Sequence, residues 1–360
     1  MNRALLLLAD GMRFEGLGLE TTGMALGEAV FYTGMTGYEE ALTDPSYAGQ
    51  ILAFTYPMIG NYGVSGTVSQ HPHACVAGAV IKSLARRPSH FESKIDLGSW
   101  LDAQKIPTIT GVDTRALTIV LREHGTIAAA LAVGNEAIAK AETELARYAR
   151  EATTRGLVAS VVDAYAPGEQ IGSGAMNVVV LDCGVKRAII RDLIALDTRV
   201  TVLPYNATAA QIEAYAPHAV VISPGPGDPQ DLEPTVEVLR ELTGRVPMFG
   251  VCLGHQLLAL ACGATTYKLP YGHRGGNQPV KDVLRDEVLV TAHNHGYAVD
   301  GSSLPSDLQA TMINLNDGTN EGFRHRTLPI AGVQFHPEAS PGPFDARSLF
   351  SQWLDTLPGR

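Results

Sequence analysis

Runs of basic residues, long hydrophobic segments and closely spaced cysteines are all missing from this sequence. Across 360 residues, 37 Asp and Glu outnumber 27 Lys and Arg, which gives a formal net charge of −10. Nucleic acids and anionic membranes bind surfaces rich in Lys and Arg, so this charge argues against either as a partner. The apolar run at residues 5–8 is interrupted at Asp10 and is too short for a signal-peptide core or a membrane span. We therefore expect a cytoplasmic protein.

The cysteines and glycines form none of the short motifs that hold zinc or nucleotides. The four cysteines are Cys75, Cys183, Cys252 and Cys262. Their wide spacing predicts neither a cysteine zinc site nor a disulfide framework, and it fits a reducing compartment. No G-x-x-x-x-G-K-[ST] phosphate loop occurs, so nucleotide hydrolysis has no obvious place in this chain. We expect no metal and no cofactor in the chain itself.

The length and composition predict a two-domain α/β protein. A chain of 360 residues with 45% hydrophobic residues is longer than one ordinary hydrophobic core supports. Apolar periodicity fades from about residue 146 and returns near 176, with Gly and polar residues between. The predicted domains are residues 1–150 and 176–360, joined by a linker at 151–175.

In the second domain, short Val- and Ile-rich runs alternate with amphipathic stretches. Strands are predicted at 177–182, 200–203, 219–223 and 247–251, with helices near 186–196, 207–215, 232–243 and 253–262. This alternation indicates right-handed βαβ units and an open, mostly parallel sheet flanked by helices. Ligands of such sheets bind at the carboxyl ends of the strands, where the loop 223–229 and Cys252 fall.

The first domain is predicted to be a separate mixed α/β domain, with a less regular pattern. Strands are expected at 5–9, 29–33, 51–55 and 75–81. A helix is expected near 115–124, because Asp113 and Thr114 provide a helix cap.

Cys252 stands between a predicted strand and a predicted helix, inside the segment GVCLGHQ (250–256). A sharp strand-to-helix turn with small flanking residues is typical of a nucleophile elbow. The amides and positive dipole end of the helix would favour the thiolate, and the amide of Leu253 would donate to an oxyanion. The alternative is a buried, unreactive cysteine, and the pattern alone leaves the two readings about even.

A histidine and a carboxylate end a later apolar run, in the segment FHPE (335–338). A nucleophilic cysteine needs a base, and the imidazole of that base needs a carboxylate to fix its tautomer. His336 and Glu338 could supply both from one strand end. Taken alone, a histidine is more often a surface or hydrogen-bonded core residue, so the indication comes from the order Cys…His-x-Glu.

The segment PGPGDP (224–229) follows another predicted strand. Gly225 and Gly227 allow the backbone to approach a ligand closely, and the prolines would hold its amides in fixed directions. The amide of Gly225 could then complete an oxyanion hole with that of Leu253. An ordinary tight connection is the alternative interpretation.

Together these three segments resemble, in order and spacing, the class I glutamine amidotransferases, over roughly residues 176–345. The first domain resembles the N-terminal domain of the carbamoyl phosphate synthetase small subunit. The segments that carry this second resemblance are TGMTGYEE (33–40), LTDPSYAGQ (42–50) and GVDTR (111–115), with GHRGGN (272–277), NHGY (294–297) and ASPGP (339–343) in the second domain.

The resemblance implies a role for each matching residue. It implies Cys252 as nucleophile, His336 as general acid and base, and Glu338 as the residue that orients the imidazole. It also implies contacts to glutamine from Ser46, Gly225, Gly227, Leu253, Gln256, Asn294, Gly296 and Tyr297. The sequence departs from the family pattern at Pro224, where Asn is frequent, and at His293, where Gln is common.

The resemblance further implies a reaction and a partner. The chain would hydrolyse L-glutamine through a thioester and pass ammonia to a large subunit that binds ATP and Mg²⁺ and makes carbamoyl phosphate, for arginine and pyrimidine synthesis. A stand-alone γ-glutamyl hydrolase or the amidotransferase of another synthetase would share the second domain but would not need the TGMTGYEE and LTDPSYAGQ segments. A non-enzymatic scaffold subunit is disfavoured by the intact Cys, His and Glu set.

Overall fold

The computed structural model describes residues 2–151 and 153–357, and the chain divides into two compact units, residues 1–154 and 155–360. Within the described ranges, every helix is too short or too polar to span a bilayer. Each unit has its own sheet and hydrophobic core.

The N-terminal unit is built on a closed barrel with the strand order β1-β2-β8-β6-β4-β3-β9. Its strands are β1 Asn2–Leu8, β2 Arg13–Gly18, β3 Gly23–Tyr32, β4 Gln50–Phe54, β5 Met58–Ile59, β6 Gly78–Ile81, β7 Ser83–Leu84, β8 Thr108–Thr110 and β9 Ile127–Val133. Its helices are α1 Tyr38–Leu42, α2 Leu97–Ala103, α3 Thr114–His124 and α4 Asn135–Glu151, with a 3-10 helix at Pro45–Tyr47.

Both faces of strand β1 are apolar because each face packs against a different part of the hydrophobic core. Leu6 and Leu8 pack in the same cluster as residues of the other barrel strands, whereas Leu5 and Leu7 pack in a second cluster with Leu145 of α4. Successive side chains of a strand point to opposite faces, so a strand buried on both sides reads as a continuous apolar run. The four predicted strands and the helix after Asp113 are present, and the structure adds the strands that close the barrel.

The C-terminal unit contains one mixed sheet with the order β10-β12-β11-β13-β14-β19-β18-β17-β15-β16. Its strands are β10 Glu169–Ile171, β11 Met176–Asp182, β12 Thr198–Pro204, β13 Ala219–Ile222, β14 Met248–Val251, β15 Thr266–Asp282, β16 Glu287–Val299, β17 Leu308–Asn314, β18 Asn320–His325 and β19 Ile330–Val333. Its helices are α5 Arg187–Ile194, α6 Ala209–Glu213, α7 Glu233–Leu242, α8 Leu253–Ala261 and α9 Leu349–Leu354, with 3-10 helices at Val158–Ser160, Pro229–Leu232 and Gly301–Ser303.

Helices cover both faces of the parallel half of this sheet. Val179 of β11 packs in one core cluster with residues of α7 and α8, and Val180 packs in a second cluster with residues of α5 and α9. The pairs β12–β11, β11–β13, β13–β14 and β14–β19 are parallel. The predicted open α/β sheet is thus confirmed, and strands β15 to β18 extend it as an antiparallel half that the sequence pattern did not reveal.

The segment 151–175, expected to be a linker, is partly built into the C-terminal unit. Strand β10 pairs antiparallel with β12, with Gln170 opposite Thr201. The three residues of β10 show no clear alternation of apolar and polar side chains, so the sequence did not predict a strand there. The strand lies at the edge of the sheet, where few apolar contacts are needed.

Candidate active site

Cys252 occupies a strained turn between β14 and α8. Its φ and ψ are 53° and −106°, a region that residues with a Cβ atom rarely adopt, and its side chain is buried. The neighbouring glycines make the turn possible. A Cβ atom on Gly250 would lie 2.4 Å from the carbonyl carbon of Gly254, and one on Gly254 would lie 2.2 Å from the carbonyl oxygen of Ile222. The elbow geometry predicted from the sequence is present.

The strain at this turn leads to a stability prediction. We expect Cys252→Gly to be more stable than Cys252→Ala by about 1–2 kcal/mol, because relief of about 1–3 kcal/mol of backbone strain exceeds the roughly 0.5–1 kcal/mol that glycine costs in chain entropy. Thermal unfolding of the two variants measures the difference. An alanine variant as stable as the glycine variant would mean that the turn is unstrained.

His336 and Glu338 lie beyond the end of β19, the parallel neighbour of β14. The amide of Cys252 donates to the carbonyl of Val333 at 2.8 Å, which sets the two strand ends side by side. The imidazole Nδ1 of His336 lies 2.7 Å from Oε1 of Glu338, and both side chains are buried. Among the described residues, the other ring nitrogen, Nε2, has no hydrogen-bond partner of ordinary geometry, although the Cys252 side chain is near enough to raise the imidazole pKa.

A buried lysine completes this electrostatic arrangement. The Nζ atom of Lys186 lies 2.8 Å from Oε1 of Glu338 and donates to the carbonyl of Ser340 at 2.6 Å. Burial alone would raise the pKa of Glu338, but the adjacent Lys186 and His336 cations hold it below its usual range. Burial, the largest effect, disfavours the His336 imidazolium, and Lys186 acts in the same direction. The Glu338 carboxylate and the Cys252 side chain together outweigh both and raise the pKa of His336.

Backbone carbonyls and amide side chains surround the sulfur atom. Sγ of Cys252 lies 3.6 Å from the carbonyl oxygen of Asn294 and 3.6 Å from Nε2 of Gln334. Gln256 donates to the carbonyl of Tyr297 at 2.6 Å and to Oε1 of Gln334 at 3.0 Å. Gln256, Asn294 and Tyr297 are thereby linked to the surroundings of Cys252, and their contacts with glutamine stay a prediction.

The loop 223–229 runs close to the start of α8. A Cβ atom on Gly225 would lie 2.1 Å from the carbonyl oxygen of Cys183 and 2.9 Å from Cδ2 of Leu253, so only glycine fits there. Gly227 has a φ of 95°, which also favours glycine. The amide of Leu253 lies in the first turn of α8, where helix amides have no partner within the helix. Gly225 and Leu253 are therefore neighbours, as an oxyanion hole requires.

The other predicted glutamine contacts occupy different places. Gly296 follows the two histidines at the end of β16, and a Cβ atom there would lie 3.4 Å from a guanidinium nitrogen of Arg274. Ser46 belongs to the N-terminal unit, in the 3-10 helix that Asp44 caps. Its hydroxyl is buried and has no hydrogen-bond partner within residues 2–151 and 153–357. The contact of Ser46 with glutamine stays a prediction.

Sequence reasoning missed Lys186 and Gln334. Lys186 lies four residues after the end of β11, on the carboxyl edge of the sheet that also carries Cys252. That position was the available signal, because lysine is rarely buried without a partner. Gln334 precedes the FHPE segment directly, but an amide side chain beside an apolar run gives no indication that it faces a sulfur atom.

Comparison with known proteins covers both units. The family model "Glutamine amidotransferase class-I" matches residues 179–356, and "Carbamoyl-phosphate synthase small chain, CPSase domain" matches residues 6–131. The carbamoyl phosphate synthase small chain of Lactococcus lactis subsp. cremoris is 43% identical over 99% of both chains. That of Symbiobacterium thermophilum is 46% identical over 96% of both, and that of Archaeoglobus fulgidus is 43% identical over 99% of both. The chain belongs to the carbamoyl phosphate synthase small chain family, with a class-I glutamine amidotransferase domain as its second half.

Proposed function

We propose that this chain hydrolyses L-glutamine with Cys252 as nucleophile, His336 as general acid and base, and Glu338 as the residue that orients the imidazole. The observation that carries the assignment is the buried chain of contacts from Lys186 through Glu338 to His336, next to a cysteine on a strained elbow. Burying the charged side chains of Lys186, Glu338 and His336 has a high desolvation cost. In this proposal their arrangement holds a proton on the imidazole beside the sulfur.

The geometry supports a thioester mechanism in two halves. The Cys252 thiolate attacks the carboxamide carbon of glutamine, and the amides of Leu253 and Gly225 stabilise the oxyanion. His336 gives its proton to the departing nitrogen, so that the C–N bond breaks and ammonia leaves. Water then attacks the thioester, His336 accepts a proton from it, and glutamate departs as the thiolate is restored.

The residues around the sulfur also support recognition of a zwitterionic amino acid. The carbonyl oxygens of Asn294 and Tyr297 are acceptors for an α-ammonium group, and the Gly225–Gly227 loop offers backbone donors for an α-carboxylate. Gly296 has no side chain, so it leaves space for a ligand beside the carbonyl groups of Asn294 and Tyr297. In this proposal Ser46, Gln256 and Leu253 provide the remaining contacts that the resemblance implies.

We infer that the ammonia serves a separate large subunit that binds ATP and Mg²⁺ and forms carbamoyl phosphate in the cytoplasm. The support is the match of residues 6–131 to the small-chain domain, together with relatives named as small chains over their full length. In this proposal the N-terminal domain, residues 1–150, contacts the partner. Ammonia is mostly protonated at neutral pH, so a sheltered passage between the subunits would keep it reactive.

Two substitutions with opposite effects on the pKa of His336, one at Glu338 and one at Lys186, test the assignment through the pH profile of glutamine hydrolysis. Glu338→Gln removes the anion that raises the pKa of His336, so we expect the alkaline limb of kcat/KM to move to lower pH, with a loss of about 10²- to 10⁴-fold in kcat. Lys186→Met removes a cation that lowers the same pKa, so the limb is expected to move to higher pH.

Damage to the fold would not move the alkaline limb in opposite directions in the two variants, whereas changes in the pKa of His336 would. Both variants should keep the thermal unfolding transition that marks a folded C-terminal unit. An alkaline limb that stays in place in both variants would show that His336 is not the titrating acid.

A further inference from the structure

A second buried cluster of ionisable side chains lies in the antiparallel half of the C-terminal sheet. Its members are His273 on β15, His293 and His295 on β16, and Glu321 on β18, and their potential ligand atoms all lie within 4.8 Å of one another. His273 is directly opposite His295 across the β15–β16 ladder, and His293 is two residues from His295, so the three rings share one face of the sheet. None of the four has a role in the proposed mechanism.

One ring nitrogen of each histidine faces an acceptor outside the cluster. Nε2 of His273 lies 2.9 Å from a carboxylate oxygen of Asp317, and Nδ1 of His295 lies 2.9 Å from the carbonyl oxygen of Tyr297. Nε2 of His293 lies 2.7 Å from the hydroxyl oxygen of Thr291, and that hydroxyl donates its own proton to the carbonyl of Gln278 at 2.9 Å.

These partners fix the tautomers. A ring nitrogen that faces a carboxylate, a carbonyl or an already donating hydroxyl carries the proton, which leaves the second nitrogen of a neutral ring with a lone pair. The second nitrogens are Nδ1 of His273, Nδ1 of His293 and Nε2 of His295, and they point into the cluster. Nδ1 of His293 and Nε2 of His295 are 3.0 Å apart, and with these tautomers each would present a lone pair to the other.

Glu321 adds a buried carboxylate to the same space. Its side chain is 0% exposed; Oε1 accepts a hydrogen bond from Asn314 at 2.9 Å, whereas Oε2 has no hydrogen-bond partner in the part of the chain that the structure describes. Oε1 lies 3.4 Å from Nδ1 of His273, and Oε2 lies 3.7 Å from Nδ1 of His293. Three ring nitrogens and a buried carboxylate that face one another favour a cation among them, either a proton on His273, whose Nδ1 also lies 3.5 Å from Nδ2 of Asn314, or a metal ion.

We propose that Nδ1 of His273, Nδ1 of His293, Nε2 of His295 and the Glu321 carboxylate bind one divalent transition-metal ion, of which zinc fits best. Ligands at zinc–nitrogen and zinc–oxygen bond lengths in a tetrahedron are about 3.4 Å apart. The pairs at 3.0, 3.4 and 3.7 Å lie near that value, and the widest separation of up to 4.8 Å requires a closing movement of side chains.

The outer partners match those of histidine metal sites. A ligating histidine usually donates its other N–H to a carboxylate or a carbonyl, which orients the ring and increases its basicity. Asp317 and Tyr297 fill that position for His273 and His295. The carboxylates of Glu321 and Asp317 together carry two negative charges, which balance a divalent cation.

The ion would brace the wall that faces Cys252. Asn294, whose carbonyl oxygen lies 3.6 Å from Sγ of Cys252, stands between the two β16 ligands. The carbonyl of Glu321 accepts a hydrogen bond from the amide of Gln334 at 2.9 Å, and the Gln334 side chain lies against the same sulfur. A metal that joins β15, β16 and β18 would therefore keep both contacts in place without touching the substrate.

Metal content tests the proposal directly. We expect the full chain, purified without a histidine tag and dialysed, to hold about one zinc per chain by mass spectrometry, and the metal-free protein to bind one zinc by calorimetry. His293→Gln and Glu321→Gln should each weaken zinc binding by at least about 100-fold, and Asp317→Asn by about 10- to 100-fold. Cobalt in place of zinc should give the visible absorption of tetrahedral nitrogen and oxygen ligation.

The exposed His124, at the end of α3, provides the matched control. His124→Gln should bind zinc as the parent chain does. A parent chain that neither contains nor binds zinc or cobalt would overturn the proposal, as would His293→Gln and Glu321→Gln variants that bind zinc like the control. Because the cobalt spectrum is recorded on the parent chain, the test does not depend on whether a variant folds.

Discussion

Cys252→Ser is expected to reduce glutamine-dependent synthesis by at least about 10⁴-fold while ammonia-dependent synthesis stays at the parental rate. A serine hydroxyl on the same elbow is far less acidic than a thiol, so in the proposed mechanism it would not form an ion pair with the imidazolium of His336. The second activity is unaffected because free ammonia bypasses the thioester. The measurement is carbamoyl phosphate formation by this chain reconstituted with its large subunit, with glutamine or with ammonium as nitrogen donor.

Cys262, at the other end of α8, provides the matched control. Burial raises the pKa of its thiol to about 11, so it is a poor nucleophile at neutral pH, and Cys262→Ser should keep both activities. Glutamine hydrolysis at the parental rate by Cys252→Ser would refute the assignment of the nucleophile. Loss of the ammonia-dependent activity as well would place the effect on assembly of the complex.

Gly254→Ala is expected to have the second largest effect, through the backbone. Its Cβ atom would lie 2.2 Å from the carbonyl oxygen and 2.7 Å from the carbonyl carbon of Ile222, and backbone atoms cannot rotate away. We expect a loss of about 2–4 kcal/mol in the free energy of unfolding and, because α8 must move relative to β13, a fall of at least about 100-fold in glutamine hydrolysis. Thermal unfolding and steady-state kinetics measure the two effects.

Gly301→Ala is the matched control in the same unit. A Cβ atom on Gly301 would lie 3.6 Å from Cβ of Asn320, an ordinary contact, so the cost should stay below about 1 kcal/mol. Equal behaviour of the two alanine variants would contradict the close approach of α8 to β13.

The parallel half of the C-terminal sheet could be predicted because short stretches of sequence are enough to identify its strands and helices. Strands β11 to β14 are short apolar runs that alternate with helices; Cys252 directly follows β14, and His336 and Glu338 lie within five residues of the end of β19. The parallel pairing of β14 with β19 then brings together residues more than 80 positions apart. Local pattern was sufficient to single out these three residues, and their catalytic roles stay a prediction.

The antiparallel half could not be predicted because its strands contain residues that usually mark turns. Strand β15 runs through Gly275, Gly276 and Pro279 and has irregular register with β16, so it reads as a loop. Its contribution to the histidine cluster depends on the register of three strands, which no local pattern encodes. The same limit applies to the barrel of the N-terminal unit, where β1 closes against β9 across more than a hundred residues.

Because β14 and β19 are neighbouring strands, the fold itself sets the positions of Cys252 and His336 relative to each other. Neighbouring strands are held about 4.8 Å apart by their ladder, so a partner chain has little leverage over the spacing between nucleophile and base. The loop 223–229 follows the end of β13 and belongs to none of the described strands, and its Gly225 approaches Leu253 in the first turn of α8. If the proposed roles hold, we expect a signal that couples hydrolysis to demand for ammonia to act on the amides of Gly225 and Leu253 rather than on the distance between Cys252 and His336.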